Sequence, residues 1–150
     1  MAKVVLLVGL CGSGKTYLAM KLQQDEGYSC LDEGYGDIDA IGLSKEKNDE
    51  LIAKLSEGTN CAYTEGMLMD PARRASFAPF LESIEAQGHE VEWIYFENNV
   101  GKANHNCLND PNRDDKDGAV EHNNQWHHDY HIPAEYFPGR EIELLPVLHP

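Results

Sequence analysis

Gly9-Leu10-Cys11-Gly12-Ser13-Gly14-Lys15-Thr16 is a complete match to the phosphate-binding loop pattern G-x-x-x-x-G-K-[ST]. Each position has a chemical task. Gly9, Gly12 and Gly14 let backbone N–H groups curl around phosphate oxygens with no side chain in the way. Cys11 and Ser13 contribute backbone to the same cradle. Lys15 supplies a point charge for the β- and γ-phosphates, and the Thr16 hydroxyl is a ligand for Mg²⁺. The apolar run Lys3-Val4-Val5-Leu6-Leu7-Val8 precedes the loop, and Leu18, Ala19 and Leu22 follow it at helical spacing. That is the strand–loop–helix setting the motif requires, with the loop ending on the positive pole of a helix.

A nucleotide alone does not define a reaction, so the acids and cations near predicted strand ends carry the next step. Asp32 and Glu33 follow a short strand predicted at Tyr28–Leu31. In open α/β sheets ligands bind beyond the carboxyl ends of strands, which makes Asp32 the first candidate for a general base and Glu33 the second. Glu65 closes Cys61-Ala62-Tyr63-Thr64-Glu65-Gly66 and is a candidate to hold Mg²⁺ through water. A solvated acid at a strand end is the alternative for Glu65, and an ordinary turn acid the alternative for Asp32 and Glu33.

Arginine is confined to Arg73, Arg74, Arg113 and Arg140. Arg73 and Arg74 fall at the start of a predicted helix, where cations are unfavourable unless an anion lies nearby; two solvated arginines are the alternative. Arg113 sits in a polar insertion and is placed to close on the phosphates as an arginine finger supplied in cis, with Lys102 and Lys116 next in line. His122, His127, His128 and His131 raise a zinc hypothesis, but neither an HExxH pattern nor a cysteine partner accompanies them. Stacking of a base on Trp126, Tyr130 or Tyr136 is the stronger reading of that segment.

The elements that must position these residues follow from periodicity. Strands are predicted at 3–8, 28–31, 60–64, 90–96 and 141–145. Helices are predicted after the loop, from a Ser44 cap to about Ser56, and from the Asp70-Pro71 start to a stop at Gly88. Two more helical pieces, about Val100–Asn109 and Ala119–Tyr130, lie in a polar segment at about 100–133, where a lid would sit. Alternating strands and helices predict an α/β fold: three layers, a mainly parallel sheet of five strands, and a single domain over 1–150.

Composition bounds the partners. With 26 Asp and Glu against 12 Lys and Arg, the formal net charge is -14 over 150 residues. Such a surface excludes a general electrostatic nucleic-acid binder and a basic membrane-surface protein, while leaving room for one local cationic groove. No apolar run approaches the ~20 residues of a membrane span. Four cysteines without a CxxC point to a reduced, cytoplasmic setting. The absence of an N-K-x-D motif disfavours a GTPase, and the short chain favours a kinase for a small molecule or polynucleotide. A free metabolite or nucleoside as acceptor, and a non-catalytic ATP-binding module, are the competing readings.

The strand–loop–helix start, the acid after the second strand and the late polar lid resemble the polynucleotide-kinase-like branch of the P-loop kinases. Trp93-Ile94-Tyr95-Phe96-Glu97-Asn98-Asn99, with Ala103, Asn106 and Tyr130-His131-Ile132-Pro133, is similar to small bacteriophage kinases of that branch. That group includes kinases of 5-hydroxymethyluracil in phage DNA. The resemblance implies ATP and Mg²⁺ as cofactors, the P-loop NTPase fold, and the host bacterial cytoplasm as the setting for a phage-encoded protein. It implies Asp32 as base, Lys15 and Arg113 as phosphate clamps, and Glu97 with Asn98 in the floor of the site. A modified base in DNA would then enter one local groove, for which Arg73, Arg74 and Lys102 are the available cations.

Overall fold

The computed structural model describes residues 1–32 and 44–148. Among them, strands β1 (Lys3–Val8), β2 (Ser29–Leu31), β3 (Cys61–Thr64) and β4 (Glu90–Tyr95) form one sheet in the order β2-β3-β1-β4. Every pairing is parallel. Five α-helices accompany it among the described residues: α1 (Lys15–Glu26), α2 (Lys45–Ser56), α3 (Pro71–Ala86), α4 (Val100–Asn109) and α5 (Lys116–Trp126). A 3₁₀ turn at Gly66–Met69 leads from β3 into α3. No described helix is long and apolar enough to cross a membrane.

Strand alternation sorts the core into two faces. Val4, Leu6 and Val8 pack with Leu51 and Leu55 of α2 and with Phe77, Leu81 and Ile84 of α3. Val5 and Leu7 face the other way, onto Ala19, Leu18 and Leu22 of α1. The central strand is therefore apolar on both sides, which is why its sequence reads as an unbroken aliphatic run. Phe77 is fully buried against Tyr63, with ring centroids 5.7 Å apart. Truncating such a phenylalanine to alanine costs about 3–5 kcal/mol.

The predicted helix starts hold. The Ser44 side chain accepts the Lys47 N–H, and the Asp70 side chain accepts the Ala72 N–H one residue before Pro71 opens α3. The last helix is shifted from its predicted span. The Asp115 carboxylate caps it by accepting the Gly118 N–H, so α5 begins at Lys116 and ends at Trp126.

The fifth predicted strand does not form. Only Arg140 makes a parallel bridge, with Phe96, and the chain then leaves the sheet edge. Side chains take the backbone groups that a ladder would have used. The Glu97 carboxylate accepts the Ile142 N–H, Asn106 bonds Glu143 and Leu145, and Asn109 accepts the Leu148 N–H. Pro146, which has no N–H to donate, lies inside this stretch.

Candidate functional site

Register brings the candidates to one end of the sheet. Leu31 pairs with Tyr63, Tyr63 with Leu6 and Thr64 with Leu7, so Asp32, Thr64–Glu65 and the loop after Val8 all follow the carboxyl ends of adjacent strands. With strands spaced about 4.8 Å apart, the backbone at Asp32 lies about 10 Å from that of β1.

The Gly9–Thr16 loop connects β1 directly to α1, whose N-cap is Gly14 at φ 108°. The Lys15 ammonium donates to the Gly9 carbonyl at 2.6 Å, folding back over the loop. A Cβ on Gly9 would lie 2.7 Å from Ser13 Oγ and 3.0 Å from Phe96 Cβ, so any larger residue there would have to displace Ser13 and Phe96. Ser13 is buried, and its hydroxyl has no hydrogen-bond partner among the described residues. The N–H groups of Gly12, Gly14, Thr16 and Tyr17 are likewise without a partner among the described residues. Four neighbouring donors at a helix N-terminus make a concentrated positive potential suited to an anion.

The predicted lid is fastened to this loop. From α5, Asn123 Oδ1 accepts the Cys11 N–H at 2.9 Å and Nδ2 donates to the Cys11 carbonyl at 2.9 Å. From α4, Asn106 Nδ2 donates to the Gly12 carbonyl at 2.9 Å and to the Glu143 carbonyl at 2.8 Å. Gly12 seats against α4 so closely that a Cβ would overlap the Ala103 carbonyl oxygen. Cys11 Sγ lies 3.7 Å from His122 Nδ1, and His122 tilts against Trp126.

Around the acids, Thr64 Oγ1 donates to Asp32 Oδ1 at 3.4 Å, and Asp32 is exposed. Burial, reinforced by the charge of Asp32, raises the pKa of the Cys30 thiol. Glu65 is paired with Lys47, whose Nζ lies 3.5 Å from Glu65 Oε2 and 4.0 Å from the centre of the Tyr63 ring. Lys47 Nζ also donates to the Thr64 carbonyl, and the side chain has no exposed surface. Glu33 lies outside the described residues.

Other predicted site residues are engaged within the chain. Arg74 donates to the carbonyls of Leu68 and Met69 at 2.7 and 3.0 Å and to that of His131 at 2.5 Å, with its guanidinium over the Tyr95 ring. Those carbonyls account for a cation at this helix start without an anionic ligand. Arg73 occupies the same first turn and is half-buried. Asn98 Nδ2 donates to the carbonyls of His127 and Tyr130, tying the end of α5 to the strand end. Glu97 accepts from the Ile142 N–H at 2.8 Å and from Lys102 Nζ at 3.2 Å. Burial raises its pKa, but the Ile142, Lys102 and Asn99 donors together outweigh that and hold the carboxyl below the ordinary glutamate value.

Arg113 lies in the α4–α5 connection, where its N–H donates to the Asp110 carbonyl. Its Nε is buried without a partner among the described residues. Burial raises the pKa of the Cys107 thiol beside Gly12, against the opposing charge of Arg113.

For a divalent cation, Thr16 and Glu65 offer a hydroxyl and a carboxylate, the hard oxygen donors magnesium takes alongside phosphate and water. Pairing of Glu65 with Lys47 suits it to a water-mediated contact rather than a direct bond. Among the described residues no three His, Cys, Asp or Glu side chains form a metal-ligand group.

Sequence reasoning missed Lys47 and Asn123. Both left a signal. Lys47 stands on the buried stripe Lys47–Leu51–Leu55, and Asn123 is four residues after buried Ala119. A polar residue on an apolar helical stripe needs a buried partner. No family model matches the chain, and no curated protein matches it.

Proposed function

We propose that this chain is a P-loop kinase of the polynucleotide-kinase-like branch, moving the γ-phosphoryl group of ATP to a hydroxyl. The observation that carries the reading is the complete Gly9–Thr16 motif set between the central strand and α1, with partnerless N–H groups at Gly12, Gly14, Thr16 and Tyr17 among the described residues. These groups suit a polyphosphate, and the Lys15 ammonium, which donates to the Gly9 carbonyl, lies on the same loop.

The acceptor hydroxyl would approach from the Asp32 side. Its oxygen bonds to the γ-phosphorus as the bond to the ADP oxygen breaks, and its proton passes to the Asp32 carboxylate. Thr64 holds one oxygen of that carboxylate, and the exposed side chain leaves it accessible to an acceptor. Thr16 and Glu65 are the residues that would hold a magnesium ion, Glu65 through water, and the ion would supply positive charge to the transferring polyphosphate. Arg113 is the cation assigned to the transferring group. The acceptor we assign is the 5-hydroxymethyl group of 5-hydroxymethyluracil in DNA, presented as one base at a local site because the net charge of -14 opposes a long DNA track.

The test is γ-labelled ATP offered with hydroxymethyluracil DNA, unmodified DNA and free nucleosides. Label is expected on the modified DNA alone. Label on free nucleosides alone would move the assignment to a small-molecule kinase. Asp32→Asn is expected to retain ATP binding and to abolish transfer. Absence of transfer from wild type to every acceptor would favour a binding module.

A further inference from the structure

The loop from Leu10 to Ser13 is a closed turn whose middle peptide is gripped from outside. Ser13 N–H donates to the Leu10 carbonyl at 3.2 Å. Gly12 has φ +83°, and among the described residues no non-glycine has a positive φ, so the turn is type II. Types I and II differ by a flip of the central peptide, which is the Cys11–Gly12 unit. In a trans peptide the carbonyl and the N–H point opposite ways. The orientation of this one unit therefore decides whether the Cys11 carbonyl or the Gly12 N–H meets a ligand in the loop.

Asn123 sets that orientation. It is fully buried on α5, and its Nδ2 donates to the Cys11 carbonyl while Oδ1 accepts the Cys11 N–H, both at 2.9 Å. The reciprocal pair fixes the amide, since the flipped amide would set donor against donor. Nδ2 also contacts Asn104 Oδ1 at 3.1 Å, bracing the side chain from α4. With the Cys11 carbonyl drawn toward α5, the Gly12 N–H projects to the opposite side, where it has no partner among the described residues.

We infer that Asn123 is a positioning residue of the phosphate site, locking the Cys11–Gly12 peptide so that an N–H donor rather than a carbonyl faces the anion. The inference rests on the reading of this loop as a phosphate site. In the flipped peptide a carbonyl oxygen would oppose the phosphate, so the lock contributes binding free energy without touching the ligand.

The experiment compares wild type, Asn123→Asp, Asn123→Leu and Asn104→Ala by calorimetric titration with Mg·ADP and with pyrophosphate. Asn123→Asp keeps an acceptor for the Cys11 N–H but turns an oxygen on the Cys11 carbonyl. Both it and the neutral Asn123→Leu, which releases Cys11 without adding a charge beside the anion, are expected to weaken both ligands roughly 10- to 100-fold, the range for losing a hydrogen bond to a charged group; a loss in Asn123→Asp alone would be charge repulsion and would overturn the lock. Asn104→Ala disturbs the same helix pair without touching Cys11 and is expected to change affinity by less than about 3-fold. Wild-type ¹⁵N spectra give a readout that needs no variant: the Gly12 amide resonance should move on ADP addition while that of Cys11 stays. Equal affinity in Asn123→Asp, equal losses in the Asn123 and Asn104 variants, or a stationary Gly12 resonance with bound ADP would overturn the lock and leave the loop reading intact. Failure of wild type to bind either ligand would overturn both.

Discussion

Replacing Gly12 with alanine strains the loop in two separable ways. At φ +83° an L-residue costs about 1–2 kcal/mol. The new Cβ would also overlap the Ala103 carbonyl oxygen and lie 3.0 Å from Cys107 Sγ and 3.2 Å from the Cys107 nitrogen. Two of those atoms belong to the backbone of α4 and cannot rotate away, so overpacking adds about 1–3 kcal/mol. Gly14 is the internal control. Its φ is +108°, but its nearest neighbour would be Phe96 Cε2 at 3.5 Å, an ordinary contact, leaving the backbone cost alone. The expected losses are about 2–5 kcal/mol for Gly12→Ala and about 1–2 kcal/mol for Gly14→Ala. In a chain of this length each kcal/mol lowers Tm by about 2–4 °C, so Gly12→Ala should fall by roughly 10 °C and Gly14→Ala by less than half of that. Calorimetric scans with matching urea titrations provide the measurement. Equal shifts in the two variants would refute the seating of Gly12 on α4.

Other substitutions probe the surrounding contacts. Lys47→Met leaves Glu65 without the cation at 3.5 Å and should cost about 2–4 kcal/mol, below the full value for a buried pair because Glu65 is partly exposed. A double-mutant cycle with Glu65→Gln should return at least about 1 kcal/mol of coupling by urea titration, and strict additivity would contradict the pairing. Tyr130→Phe removes a buried hydroxyl that donates to the carbonyls of Val8 and Phe96, at an expected cost of about 1–3 kcal/mol; an unchanged urea midpoint would contradict the bond. Glu97 has a lowered pKa in the folded chain, so its contribution is full above the ordinary glutamate value and is lost as pH falls through the folded value. Glu97→Gln should therefore destabilise near neutral pH and flatten the acid limb of stability against pH. Parallel curves for the two proteins would show that the latch on Ile142 does not depend on charge.

What could be read from the sequence follows from how local each signal is. β1, the loop and α1 were legible because an aliphatic run, a glycine pattern and a helical stripe lie next to one another in the chain. The caps at Ser44 and Asp70 act within three residues, so they were legible too. The 141–145 segment was not. Its alternation suits a strand, but its backbone groups are taken by Glu97, Asn106 and His105 from distant positions. Arg74 and Asn98 meet the same limit: a polar side chain at an element end looks the same whether it awaits a ligand or binds a carbonyl of its own chain. The Arg74 contact with His131 spans 57 positions, and no local pattern reports it. Asn123 is the converse, a residue of no evident motif that reaches the loop across 112 positions.

Calorimetric titration of the chain with Mg·ATP asks directly whether the Gly9–Thr16 loop holds a nucleotide polyphosphate. The expected result is one saturable site, competition by pyrophosphate, and loss of binding in Lys15→Ala with the fold intact by circular dichroism. Absence of binding to wild type, or equal affinity in wild type and Lys15→Ala, would contradict it.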